Sequence, residues 1–172
     1  ILGAGLSGIA AGRQLRAAGF DVTLLDKGRS AGGRLATRRI GGGSADHGAQ
    51  FFTVRTPAMM DLVETMMADG HVKVWSHGWS DGSLSEAPDD GFPRYVCTGG
   101  MNHFARLLAE ELDVHTSVKV ESVSLEGERW VVRSDDGDAW DAGAVILTAP
   151  VLQSLAVVDI GHVTLPPMVR KG

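Results

Sequence analysis

The stretch GAGLSG (residues 3–8) fits the pattern G-x-G-x-x-G and lies near the start of the 172-residue chain. The apolar pair Ile1-Leu2 precedes it, and apolar residues at helical spacing follow it over residues 7–18, up to Gly19. Residues 21–26 (DVTLLD) are then typical of a buried parallel strand that ends in an acid, Asp26. Strand, glycine turn, helix and a second strand ending in an acid form a βαβ dinucleotide-binding unit, so the sequence predicts an α/β fold with a parallel sheet.

The spacing gives each position of the turn a physical role. Gly3 permits a tight turn, Gly5 lets the backbone approach a pyrophosphate, and Gly8 lets the helix pack close to the sheet. The backbone amides of Leu6, Ser7 and Gly8 lie at the helix N-terminus, where partial positive charge favours a diphosphate. The alternative is an ordinary βαβ crossover that binds no ligand. In that case the three glycines, the helix and the acid would coincide by chance.

Asp26 lies 18 residues beyond Gly8, close to the ~20 residues expected for a carboxylate that accepts ribose hydroxyls. Beyond it no acid occurs before Asp46, and the interval contains the positive charges Lys27, Arg29, Arg34, Arg38 and Arg39. This local positive field suits an anionic group, although a solvated loop is the alternative for Arg38 and Arg39. The glycine pair at residues 32–33 favours a cofactor longer than NAD, with a ribityl chain and a flavin ring.

Composition excludes several classes of protein. Apolar residues make up 44% and charged residues 22% of the chain, which is typical of a folded domain and not of a disordered one. The net charge of −5 argues against a nucleic-acid partner, and no apolar run is long enough for a membrane partner. The only cysteine, Cys97, allows no intrachain disulfide and weakly favours a reducing, cytoplasmic location; the expected state of its thiol is buried. The histidine and cysteine spacing predicts no metal site.

The rest of the chain shows a coarse order of elements. Periodicity predicts helices over residues 57–69 and 102–112, and strands over residues 72–75, 118–125, 130–133 and 144–147. Residues 27–50 are expected to form a long glycine-rich connection without regular structure, and residues 76–93 an irregular excursion. Because the first strand is represented only by two residues and the tail shows no periodicity, the chain is expected to be a fragment of a longer protein.

Several motifs together resemble those of the FAD-dependent amine oxidase superfamily, and within it the bacterial renalase-type proteins most closely. They are GAGLSG (3–8), DKGR (26–29), GGR (32–34), DHGAQFF (46–52), YV (95–96) with GMN (100–102), and AVILTAP (144–150). The resemblance extends over residues 1 to about 155. The pairing of GGR with DHGAQ is its most specific part, since many flavoproteins share the first motif.

The resemblance implies FAD as the cofactor and gives roles to individual residues. Ser7 would contact the pyrophosphate, Arg34 would hold phosphate or flavin, and Gln50 and Phe51 would lie beside the flavin. Val120 would offer its backbone to the adenine edge, with an ordinary core position as the equal alternative. The candidate cofactor-binding residues are Gly3, Gly5, Leu6, Ser7, Gly8, Asp26, Lys27, Gly33, Arg34, Gln50, Phe51 and Val120. Catalytic residues are left unassigned, because the substrate half of such proteins would lie outside this chain.

The resemblance also implies a domain plan and a reaction. Residues 1–57 and 98–155 would form a discontinuous FAD-binding domain, residues 58–97 the start of an inserted substrate-side segment, and residues 156–172 an unplaced tail. The implied function is a renalase-like oxidation of a dihydronicotinamide-type small molecule, with hydride transfer to flavin and oxygen as acceptor. An amine oxidase or desaturase fragment, or a truncated FAD-binding remnant without catalysis, is the alternative. The chain by itself is expected to show little turnover.

Overall fold

The computed structural model describes residues 1–79, 82 and 89–158. Part of the predicted irregular segment and most of the predicted tail therefore lie outside the described residues. The chain divides into two compact units, one formed by Ile1–Gly33 with Leu108–Gly172 and the other by Arg34–Leu107. These units have other boundaries than the predicted domain segments, whose functional assignment stays a prediction.

The elements, in chain order, combine helices with single strands and runs of consecutive strands. They are α1 (Leu6–Ala17), β1 (Thr23–Leu25), a 3-10 turn (Gly33–Leu35), β2 (Thr37–Ile40), β3 (Gly43–Asp46), α2 (Pro57–Ala68), β4 (Val72–Ser76), β5 (Arg94–Cys97), α3 (Asn102–Ala109), β6 (Asp113–His115), β7 (Val120–Glu126), β8 (Arg129–Ser134), β9 (Ala139–Ala142) and α4 (Val151–Val157). The helix and strand segments predicted from periodicity match these elements within a few residues, except at residues 144–147.

Parallel pairing organises the first unit. Strand β1 pairs with β6 in parallel, with Thr23 opposite Asp113. Leu2 adds parallel bridges to both Leu25 and Leu147. The segments around Leu2, β1 and Leu147 therefore pair in parallel, and the α/β fold with a parallel sheet is confirmed. The predicted strand at 144–147 is reduced to this single bridge.

Helix α1 packs unusually close to the parallel strands. A Cβ atom at Gly12 would lie 3.1 Å from Leu24 Cδ1 and 3.2 Å from Leu112 Cδ1, which is closer than ordinary van der Waals contact. Glycine avoids this crowding between the helix and its neighbours. Ile9, on the same face of the helix, is fully buried. This close approach brings the N-terminus of α1 directly to the end of the first strand segment, where the glycine turn lies.

The antiparallel sheet β7-β8-β9 completes the core of the first unit. Val123 and Val132 bury their side chains in one cluster with Leu2 and Leu25, so both kinds of sheet share this core. The register of β7 against β8 shifts between Val120 and Ser122, as it does at a β-bulge.

In its described residues the second unit contains two antiparallel strand pairs, β2-β3 and β4-β5, and the helices α2 and α3. Strands β2 and β3 pair from Thr37–Asp46 to Ile40–Gly43, so the expectation of an irregular connection over residues 27–50 is wrong for residues 37–46. These strands are mostly exposed, and exposed polar strands leave no hydrophobic period in the sequence. Strands β4 and β5 pair beside α2, which buries Val63 and Met66.

Candidate functional site

The glycine turn is shaped by contacts inside the chain at two of its three glycines. Gly3 has φ +105°, and a Cβ at Gly8 would lie 1.9 Å from the Gly3 carbonyl oxygen, so both positions require glycine. Gly5 is different: its φ is −75°, and a Cβ there would come no closer than 4.0 Å to another residue, at Gly33 Cα. The fold itself does not demand glycine at Gly5, which is consistent with a ligand approaching its backbone.

Gly5 is the N-cap residue of α1. No side chain of a described residue caps this end of the helix, and its first turn contains no acid. The amides of Leu6, Ser7 and Gly8 are therefore free of competing side-chain acceptors in the described part of the chain. The side chains of Leu6 and Ser7 are exposed. An exposed, uncapped helix N-terminus behind a glycine turn fits the diphosphate of a dinucleotide.

The side chain of Asp26 accepts hydrogen bonds from the backbone of the glycine turn and of the segment after β1. Its Oδ2 accepts a hydrogen bond from the Ala4 amide at 2.6 Å, and its Oδ1 accepts one from the Gly28 amide at 2.7 Å. An ionised carboxylate offers about four acceptor positions, so two remain for ribose hydroxyls. The position of Asp26 in the sequence predicts the ribose role, but it does not indicate the two amides, because backbone partners leave no mark in side-chain patterns.

Three other predicted residues of the first unit have visible structural roles. A Cβ at Gly33 would lie 3.1 Å from Gly5 Cα, so Gly33 packs directly against the turn. Lys27 is exposed and its Nζ donates to the side chain of Gln153 at 3.1 Å. Val120 pairs with Ser134 in the antiparallel sheet and packs against the core cluster. Contact of Lys27 or Val120 with a cofactor stays a prediction.

The two most specific motifs pack backbone to backbone in the second unit. The Ala49 amide donates to the Arg34 carbonyl oxygen at 2.9 Å, and a Cβ at Gly48 would lie 2.0 Å from that same oxygen. Gly48 is therefore glycine because the Arg34 backbone crosses it. The side chains of Arg34 and Gln50 are both exposed at this crossing.

Asp46, the first residue of the DHGAQ motif, caps a helix. Its Oδ1 accepts from the Met101 amide at 2.9 Å, and Thr37 Oγ1 accepts from the Asn102 amide at 3.1 Å, while the Thr37 hydroxyl donates to Asp46. Together they satisfy donors at the start of α3. The Asp46 carboxylate thus ties the DHGAQ motif to the GMN motif at residues 100–102.

Phe51 belongs to an aromatic cluster that the sequence did not indicate. Its ring centroid lies 6.0 Å from that of Trp75 and 5.3 Å from that of Trp79, and the two tryptophans meet edge to face at 5.7 Å. Each tryptophan keeps 51% of its surface exposed. The two tryptophans present apolar rings to solvent beside Phe51.

Cys97 is buried, with 7% of its surface exposed. Burial raises the pKa of its thiol to about 11, so the thiol is protonated and a poor nucleophile near neutral pH. Among the described residues, no group of three or more histidine, cysteine and acidic side chains is placed to hold a metal ion. None of the helices in the described ranges has the length and apolar character needed to cross a membrane.

Comparison with known proteins agrees with this geometry. Residues 1–66 match a family described as an NAD(P)-binding Rossmann-like domain, and residues 86–156 match flavin-containing amine oxidoreductases. A 1-hydroxycarotenoid 3,4-desaturase from a Flavobacterium species is 33% identical over 98 residues, covering 52% of this chain and 20% of the desaturase.

Solved structures give the same fold. Putrescine oxidase bound to putrescine superposes with a TM-score of 0.70, and a triple mutant of putrescine oxidase with 0.72, each at 17% identity and covering 99% of this chain. The chain spans 61% of those putrescine oxidase chains and a much smaller share of the desaturase. At this identity the likeness concerns the fold alone.

The fold and the glycine turn define a dinucleotide-binding α/β protein. The two family matches, each over less than half of the chain, make it similar to the FAD-dependent amine oxidase superfamily. This is a flavin-containing family, so the expected cofactor, FAD, is confirmed at the level of the family. The renalase-type placement within the superfamily stays a prediction.

Proposed function

We propose that this chain provides the FAD-binding part of a flavin-dependent oxidoreductase that oxidises a small molecule. The observation that supports this proposal best is the presence of glycine at position 5, beside an uncapped helix N-terminus. The fold would accommodate a Cβ atom there, yet the residue has none. A glycine without a structural cause, placed where a diphosphate would approach, is the feature expected of a dinucleotide cradle.

The chain's own residues divide the work of binding. The amides of residues 6–8 hold the diphosphate, and the free acceptor positions of Asp26 take the ribose hydroxyls. By the resemblance, Arg34 would add positive charge, and Gln50 and Phe51 would lie beside the flavin. When bound, the flavin accepts a hydride equivalent from the substrate and passes its electrons to oxygen, giving hydrogen peroxide.

The substrate we propose first is a dihydronicotinamide-type dinucleotide, as in the renalase-type proteins. The alternatives are an amine or an unsaturated hydrocarbon, which the names of putrescine oxidase and the carotenoid desaturase support. The exposed rings of Phe51, Trp75 and Trp79 suit a flat or cationic group through stacking. A cytoplasmic location stays the prediction drawn from the single cysteine.

Stopped-flow reduction of the FAD-loaded protein distinguishes these substrates. Because the chain by itself is expected to show little turnover, we expect flavin bleaching by dihydronicotinamide isomers to be saturable but slow, and to be absent with putrescine or a carotenoid precursor. Saturable bleaching by the amine or the hydrocarbon alone would replace the proposed substrate with that class, while the flavin-dependent assignment would stand.

The cofactor assignment is tested with the substitution Gly5→Ala. Because a Cβ at Gly5 meets no protein atom closer than 4.0 Å, the variant should fold normally, yet its methyl group would occupy the approach of the diphosphate. We expect FAD affinity, measured by quenching of flavin fluorescence, to fall about tenfold or more. Gly42→Ala, which also adds a methyl group in open space, is the matched control. Equal FAD affinity of both variants, or no FAD binding by the unmodified protein, would contradict the proposal.

A further inference from the structure

The hydroxyl of Thr148 contacts the backbone of the glycine turn. Thr148 Oγ1 lies 3.0 Å from the Leu2 carbonyl oxygen and 3.1 Å from that of Gly3. The Thr148 amide already donates to the Leu2 oxygen at 2.9 Å. Since a hydroxyl has one proton to donate, the Gly3 oxygen is the acceptor that depends on it.

The Gly3 carbonyl and the Ala4 amide belong to one planar peptide group. Its N–H end donates to Asp26 Oδ2 at 2.6 Å, so the peptide is held at one end by a hydroxyl and at the other by a carboxylate. Because the group is rigid, rotation of the carbonyl also moves the N–H. The φ of +105° at Gly3 allows this orientation, and a Cβ at Gly3 would come within 2.6 Å of Thr148 Oγ1.

We propose that Thr148 is a positioning residue of the nucleotide site: its hydroxyl orients the Gly3–Ala4 peptide, whose N–H in turn orients the Asp26 carboxylate toward the ribose. The proposal rests on the nucleotide binding proposed above. Thr148 itself touches no cofactor in this scheme, and its effect on binding passes through Asp26.

Two nucleotides separate this role from a general effect on stability. ADP has the ribose 2′- and 3′-hydroxyls that Asp26 would accept, whereas 2′,3′-dideoxy-ADP lacks them. We expect Thr148→Val, in the full chain, to weaken ADP binding about tenfold and dideoxy-ADP binding less than about twofold, measured by calorimetry. Thr148→Ser, which keeps the hydroxyl, should restore ADP affinity. An equal loss for both nucleotides would overturn the proposal.

Thr23→Val is the matched control, because it removes a hydroxyl of the same unit that donates to Asp113 at 2.9 Å, away from the turn. Its affinity for ADP should equal that of the unmodified protein. In an Asp26→Ala background, Thr148→Val should cause no further loss of ADP affinity, since the group through which it acts is absent. A full additional tenfold loss in that background would contradict the proposal.

A measurement in the absence of nucleotide tests the role of Thr148 independently of the proposed nucleotide binding. Hydrogen exchange of the Ala4 amide should be about tenfold faster in Thr148→Val than in the unmodified protein, and unchanged in Thr23→Val. If the unmodified chain bound neither ADP nor FAD, the proposed function would fall while this exchange still tested the peptide coupling. An unchanged exchange rate of the Ala4 amide would contradict the proposed coupling. If Thr148→Val does not fold, Thr148→Ala replaces it in this measurement.

Discussion

Asp26 shows how one side chain combines structure and binding. The sequence points to a ribose-binding carboxylate from its position after the second strand alone. The hydrogen bonds from the Ala4 and Gly28 amides give it a second role, which is to tie the glycine turn to the end of β1. A residue that holds the turn also sets where the ribose would bind, so its two roles cannot be separated by a simple truncation.

This double role changes the expected effect of Asp26→Asn. From sequence alone the asparagine variant should be milder than Asp26→Ala, since it keeps one acceptor. In the structure each carboxylate oxygen faces an N–H donor, so the asparagine NH₂ must oppose one of them. We therefore expect both variants to weaken ADP binding by about tenfold or more, because hydrogen bonds to charged groups contribute roughly 1.5–3 kcal/mol.

Calorimetric titration with ADP measures this loss, with Asp21→Asn at an exposed position of the same unit as control. Wild-type affinity in Asp26→Asn would show that the carboxylate charge and its second acceptor are dispensable.

Cys97 makes stability depend on alkaline pH. Burial raises the pKa of its thiol from 9.0 to about 11, so the folded state retains a proton that the unfolded state loses. The free energy of unfolding should therefore be unaffected below pH 8 and fall by about 2 kcal/mol as the pH rises from 9 to 11. Urea unfolding at pH 8 and pH 11 of the unmodified protein and of Cys97→Ala isolates this effect. An identical pH dependence in the two proteins would exclude it.

At the scale of elements, the crossing of residues 34–36 and 47–49 joins two sequence motifs through backbone atoms alone. The Ala49 amide donates to the Arg34 oxygen, and Gly48 permits the close approach. Sequence reasoning grouped the GGR and DHGAQ motifs by resemblance but had no physical reason for the glycine. That reason is a tertiary contact, which no local periodicity can express.

Gly48→Ala should therefore be among the most destabilising single-methyl substitutions in the second unit. Its Cβ would lie 2.0 Å from a backbone oxygen that no side-chain rotation can relieve, so we expect a loss of about 3 kcal/mol or more in the free energy of unfolding. Gly42→Ala adds the same methyl group nearby, in open space, and should change stability by less than about 1 kcal/mol. Denaturant unfolding of the pair is the measurement, and equal midpoints would refute the crossing.

At the scale of the whole molecule, nucleotide binding should stabilise the unit that contains the glycine turn. Leu2 and Leu25 lie in one buried cluster with Val123 and Val132, so the turn and the antiparallel sheet share a core. At an ADP concentration 100 times its dissociation constant, the gain is about 2.7 kcal/mol. Hydrogen exchange of the slowest amides in β7 and β8 should then slow by up to about 100-fold. No slowing at saturating ADP would show that this core opens without releasing the nucleotide.

The amino-acid sequence by itself determined the features that depend on near neighbours. The glycine turn, the helix after it and the buried strand ending in Asp26 follow from backbone sterics and from the burial of periodic apolar residues. The α/β class was visible from them, whereas the resemblance to the amine oxidase superfamily needed the GGR and DHGAQ motifs as well. The hairpin of Thr37–Asp46 was not, because its exposed polar strands have no buried face and hence no hydrophobic period.

Only the tertiary structure decided which groups meet across long sequence separations. It placed Thr148 on the Gly3 carbonyl, 145 residues away, and Asp46 at the start of a helix 55 residues further on. It also gathered Phe51, Trp75 and Trp79 into one exposed cluster. Such contacts depend on how whole elements pack, since backbone hydrogen bonds and ring contacts form only after distant segments have been brought within a few ångströms.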